Sequence, residues 1–127
     1  MAINVTKQIT AFQQIHAAIK HCRKGDWVCA ITLAAAAEGQ LPDCPAPYLF
    51  KQLRGRRNGL DLNIINNWCK HPTGPDEIPL EPIWPVIAVT RAISKFVAVY
   101  GKDSPEMHRF FQWARKNHYM AEPLAKQ

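Results

Sequence analysis

The stretch Asp26-Trp-Val-Cys-Ala-Ile-Thr-Leu-Ala-Ala-Ala-Ala-Glu38 holds a single hydroxyl, Thr32, between its two carboxylates. It is too long for a buried strand and shows no two-residue alternation, so it reads as a helix from Trp27 through Ala37, with Asp26 placed to cap it. A helix apolar nearly all round must be covered by its neighbours, and the run Ala34–Ala37 lets those neighbours approach closely. This segment is therefore expected to run through the centre, with the rest of the chain wrapped around it.

On its amino side, Ile9, Phe12, Ile15, Ile19 and Cys22 recur every three or four residues. That spacing predicts an amphipathic helix over 6–24, capped by Thr6 and closed by Gly25. On the carboxyl side, Pro42-Asp-Cys-Pro-Ala-Pro47 makes a turn, and Tyr48, Leu49, Phe50 and Leu53 suggest a short third helix ending before Asn58-Gly59. Asp61 then caps a fourth helix, 62–71, with Ile64, Ile65 and Trp68 facing inward, and Pro72 stops it. Residues 73–82 are too rich in proline for helix or central strand and read as a loop packed by Ile78 and Leu80. Helical spacing returns over 83–100. Ser104-Pro105-Glu106 then joins a capping hydroxyl, a first-position proline and a carboxylate in the positive first turn of a sixth helix. The expected fold is all-α, a compact bundle of five or six helices around the central Ala-rich helix, in one domain over 1–127.

With 127 residues and 47% hydrophobic composition the chain can build one core. The amino end lacks a run of signal-peptide length and no stretch has eighteen uninterrupted apolar residues, so the expected location is the cytoplasm, without a membrane span. Cys22, Cys29, Cys44 and Cys69 have irregular spacing and no Cys-x-x-Cys pair, and read as reduced thiols. A formal charge of +6 favours an anionic partner and equally serves solubility. Its densest cluster is Lys51, Arg54, Arg56 and Arg57. These four are the candidate nucleic-acid contacts, although they lack interleaved aromatic platforms and a solvated helix end explains them as well.

The string Asn66-Asn67-Trp68-Cys69-Lys70-His71 carries the most suggestive chemistry. Asn67 and His71 lie four apart on one helix face, where a proton-transfer group stands beside an amide. A polar helix end complementing the dipole accounts for the same residues. Glu38, if the helix ends meet, would pair with Lys70 or hydrogen-bond His71. Asn67, Lys70, His71 and Glu38 together form the expected ligand site. His16 and His21 are separated by roughly 140° around a helix and cannot grip one metal unaided. No H-E-x-x-H, phosphate-loop or Gly-x-Ser-x-Gly motif occurs, and neither a metal nor a cofactor is expected. Trp27, Trp68, Trp84 and Trp113 read as core or interface anchors.

The string Ile31–Glu38, then Asn67 with Lys70-His71 before a proline-rich loop, then Phe110-x-x-Trp113, resembles a family of short bacterial helical proteins over about residues 12–119. The resemblance implies the helical fold and a polar cluster and brings no activity with it. More distantly, the late-helix Asn and His resemble the HEPN ribonuclease and nucleotide-binding superfamily, whose signature is Arg followed by His after four to six residues. Asn66 stands in the Arg place relative to His71, and no arginine of this chain has a histidine at that spacing. An asparagine cannot supply the guanidinium's charge to a phosphate. The expected function is thus a helical interaction module, assembled as a homodimer, that binds an anionic or polar ligand. A HEPN-like RNA-cleaving enzyme, or a toxin–antitoxin or phage-defence accessory protein, is the alternative.

Overall fold

The computed structural model describes residues 1–43 and 57–120, with side chains described throughout except at 57–62. Five helices occupy these residues: α1 (Lys7–Lys24), α2 (Trp27–Gln40), α3 (Arg57–Lys70), α4 (Ile83–Tyr100) and α5 (Pro105–Lys116). Among the described residues there is no strand. The all-helical bundle expected from the spacing is the observed architecture. The short helix expected at 48–53 lies outside the described residues.

Local chemistry accounts for most of the boundaries. Thr6 Oγ1 accepts from the Ile9 amide at 3.0 Å and starts α1. Gly25, at φ 85°, takes the left-handed turn that ends it, and its N–H donates to the Cys22 carbonyl. Ser104 Oγ accepts from the Met107 amide at 3.3 Å, with Pro105 as the first residue of α5. Asp26 departs from expectation: its side chain makes no cap bond, and Oδ2 instead meets His21 Nδ1 at 3.1 Å. Asn58-Gly59 and Asp61 also depart, because α3 already begins at Arg57 and runs through all three. One glycine costs a helix about 1 kcal/mol, which is too little to end it.

Buried residues from all five helices form one hydrophobic core, including Ile15, Ile31, Ile65, Phe96 and Phe110. Helix α2 packs against α1, α3 and α4, while α1 also meets α4 and α5. The Ala-rich helix is therefore the hub, but not enclosed all round. Trp27 is half-buried and Val28 is 46% exposed. Its buried side is the row Ala30, Ile31, Ala34, Ala37 and Glu38. Helix α4 is covered more completely, from Pro85 through Phe96. By length and composition α4 could cross a membrane, and half of it is buried inside the protein. Between α3 and α4, Ile78 and Leu80 pack the proline-rich loop onto the core, as their spacing predicts.

Candidate functional site

Glu38 lies four residues after Ala34 and seven after Ile31, which puts it on the buried face of α2. Opposite it on α4, Arg91 and Lys95 are one turn apart and share a face with Ala88. Small residues make the room these side chains need. Ala35, Gly39 and Ala88 line a cavity of about 200 Å³ with Glu38, Arg91, Lys95, Asn63 and Asn66, and a Cβ built at Gly39 meets nothing within 4 Å.

The polar geometry converges on Glu38. Arg91 Nη2 lies 3.0 Å from Glu38 Oε1, and Arg91 Nε donates to Oε2 at 3.4 Å, so one edge of the guanidinium spans the carboxylate. Lys95 Nζ donates to the Glu38 backbone carbonyl at 3.0 Å, one of the acceptors a helix end leaves open. Arg91 is 3% exposed and Lys95 8%, so both cations have been taken out of water. Burial pushes the Glu38 carboxyl above its usual range, and the charges of Arg91 and Lys95 pull it back only in part. A guanidinium and an ammonium thus meet, among the described residues, at one carboxylate-bearing helix end in this wall. Among the described residues, Asn66 Oδ1 is buried there without a hydrogen-bond partner. A buried group in that condition calls for a water or a ligand.

The opposite flank of α3 borders a second, larger cleft of about 540 Å³, where Ile64, Asn67, Trp68 and His71 face Ile78, Pro79 and Trp84. Trp68 Nε1 donates to the Pro75 carbonyl at 2.7 Å and ties the proline-rich loop to the helix. Gly74 is at φ 101°, and a Cβ there would come within 3.3 Å of the Trp68 ring. The loop thus needs glycine at this point, for its backbone and for its closeness to the indole.

The expected site is split by this arrangement. Asn67 and His71 do share one cleft, and both are exposed. Glu38 does not join them: its carboxylate is held by Arg91, so the expected pairing with Lys70 or His71 is corrected to a pairing with α4. Lys70 is exposed and lines neither cavity. Ile64, expected inward, is 65% exposed and forms a lip of the cleft. Asn66 and His71, the pair set against the HEPN spacing, open onto different cavities. Of the basic run, Lys51, Arg54 and Arg56 lie outside the described residues, and Arg57 is the first residue of α3.

Arg91 and Lys95 are the residues that sequence reasoning missed. The signal was present: two cations four apart are the only charges in a mostly apolar helix of eighteen residues. Charges on a buried face must find partners, so their spacing points to a carboxylate across the interface. Among the described residues, no three His, Cys, Asp or Glu side chains gather as metal ligands do. No known protein family, curated protein or solved structure matches the chain.

Proposed function

We propose that this protein is a small helical binding module that takes an anionic or polar ligand into the cavity between α2, α3 and α4. One observation carries the reading: Arg91 and Lys95, both buried, meet Glu38 in the wall of an open cavity rather than in close-packed core. Replacing a buried ion pair with apolar residues of similar volume often leaves a protein as stable or makes it more so, so stability alone is a weak reason to keep one. A wall that carries a guanidinium, an ammonium and two side-chain amides offers N–H donors suited to a ligand bearing an oxyanion.

Gly39 provides the test, because a larger side chain there fills the cavity without removing a polar group. Thermal shift and calorimetric titration with small anions should show saturable binding by the wild type. Gly39→Leu should lose that binding while melting no lower, since leucine is also the better helix former. Unchanged affinity in Gly39→Leu would reject the cavity. Cleavage of labelled RNA by the wild type, abolished in an Asn67→Ala/His71→Ala double variant, would replace this reading with the ribonuclease one.

A further inference from the structure

Helix α1 carries cations at Lys20, Arg23 and Lys24, and their spacing of three and four residues puts them on one side of its last turns. Across from them stands Arg109 of α5, and the four surround a cavity of about 530 Å³ that His16, Ile19 and Glu106 complete. This cavity shares no lining residue with the two that border α3.

The carboxylates near these cations do not match them. Arg109 Nη1 lies 3.4 Å from Glu106 Oε1, and the other Glu106 oxygen lies 4.0 Å from His16 Nε2. Lys24 Nζ is 4.0 Å from Asp26 Oδ2, an atom outside the cavity that His21 Nδ1 already meets at 3.1 Å. Lys20 and Arg23 have neither an ion pair nor a hydrogen bond among the described residues. The described lining thus holds four cationic side chains and one carboxylate. The C-terminal dipole of α1 accounts for Arg23 and Lys24, but it falls off before Lys20 and does not act on Arg109 of the other helix. Lys20 and Lys24, one turn apart, repel each other. A surface kept basic for solubility gains nothing by gathering its charges around one hollow.

We infer that the α1–α5 cavity binds a diphosphate group, a site separate from the one between α2, α3 and α4 and independent of it. Phosphoryl oxygens accept charge-assisted hydrogen bonds from Lys and Arg, and two linked phosphates reach cations on both helices where one leaves part of the cluster unmatched. Lys20 to Lys24 advances only about 6 Å along the helix axis, so the charges enclose one compact group. A nucleic-acid strand calls instead for a longer track of cations and for rings on which its bases stack, and no Phe, Tyr or Trp is among the described lining residues.

Calorimetric titration of the full chain with pyrophosphate, orthophosphate and ADP tests the site. Pyrophosphate should bind saturably and at least about tenfold more tightly than orthophosphate, because one further charge-assisted contact is worth roughly that factor. ADP tighter than pyrophosphate would support the site with a nucleotide as the source of the diphosphate, and ADP equal or weaker would support it with the free ion. Lys20→Gln/Arg23→Gln should weaken pyrophosphate binding at least about tenfold, and Arg109→Gln alone, on the facing helix, should weaken it as well. Lys70→Gln removes the same charge from an exposed position that lines none of these cavities, and should leave binding unchanged. Lys20, Arg23 and Arg109 are exposed too, and melting curves of each variant establish that it is folded. Gly39→Leu should bind pyrophosphate like the wild type, which separates this site from the anion cavity. Absence of saturable pyrophosphate binding, binding that Lys20→Gln/Arg23→Gln leaves intact, or an equal loss in Lys70→Gln would overturn the inference. So would loss of binding in Gly39→Leu, which would place the diphosphate in the other cavity, or capture of a labelled RNA oligomer by the same cations without competition from pyrophosphate, which would assign them to nucleic acid.

Discussion

Arg91→Met should be among the most damaging single changes in this protein, and its damage should depend on pH. The methionine keeps much of the stem's apolar contact, so the loss is mainly that of the guanidinium 3.0 Å from Glu38 Oε1. Removing one partner of a buried pair leaves an uncompensated charge and typically costs about 3–5 kcal/mol. For a chain of this size that corresponds to a fall in melting temperature on the order of 10–25 °C. The carboxylate has one escape, which is to take up a proton. Burial already raises the Glu38 carboxyl above its reference value of 4.5, and losing Arg91 removes the largest influence holding it down. An acid whose folded pKa is raised keeps its full contribution to stability below the unfolded value and loses it as pH rises through the folded value. The penalty of Arg91→Met should therefore be small below about pH 4.5 and grow as pH rises towards neutrality. Urea denaturation of wild type and variant across pH 4 to 8 would measure it. Pairing the change with Glu38→Leu should recover much of the loss, because no carboxylate is then stranded. A variant within about 1 kcal/mol of wild type at pH 7.5 would refute the buried pair, and a penalty independent of pH would refute the stranded carboxylate as its cause.

Other changes probe the remaining packing and the exposed cleft. Phe110→Ala should cost about 3–5 kcal/mol in denaturant unfolding, since Phe110 is 0% exposed. Trp27→Ala should cost about 1–3 kcal/mol because its ring is only half-buried, and a Trp27→Ala loss equal to that of Phe110→Ala would restore the fully central helix. Gly74→Ala should lower stability by roughly 1–2 kcal/mol, read by thermal melting, because alanine resists the left-handed backbone and its Cβ crowds the Trp68 ring. In maleimide labelling of the folded protein, exposed Cys29 should react first and Cys22 should resist, since Cys22 is buried and its thiol is pushed up to about 12. Equal labelling of the two would contradict the burial of Cys22.

What the sequence made legible follows from how local each determinant is. Thr6, Gly25 and Ser104-Pro105 act on backbone groups within a few residues, so their roles as helix boundaries can be read directly, and the structure bears them out. The periods of α1 and α5 likewise report which face turns inward. Asp26 shows where such reading stops. Its position at a helix start predicts a cap, but the carboxylate had a competing partner in His21, brought within 3.1 Å by the Gly25 turn. The centre of the bundle was harder for a similar reason. An unbroken apolar run says that a helix needs cover, but not on how many sides it receives it, and Val28 stays open to solvent.

The candidate site required a still longer step. Glu38 was recognisable as a charge at the end of an apolar helix, yet its partner lies 53 residues along the chain, and no spacing rule reaches so far. His71 was nearer in sequence and chemically plausible, which is why it drew the pairing that Arg91 makes. The physical cue that decides between them is the environment of the cation. Lys70 and His71 stand at a helix end open to water and can stay hydrated, whereas Arg91 and Lys95 are enclosed in α4 between Ala88, Ala92 and Phe96 and have to be met by something polar. Helix α3 then acquires its importance from lying between two cavities. Its adjacent amides diverge, Asn66 towards the buried charges and Asn67 towards the open cleft beside Trp68 and His71. A change at Asn66 should therefore alter the lining of the buried cavity while leaving Asn67 and His71 where they are.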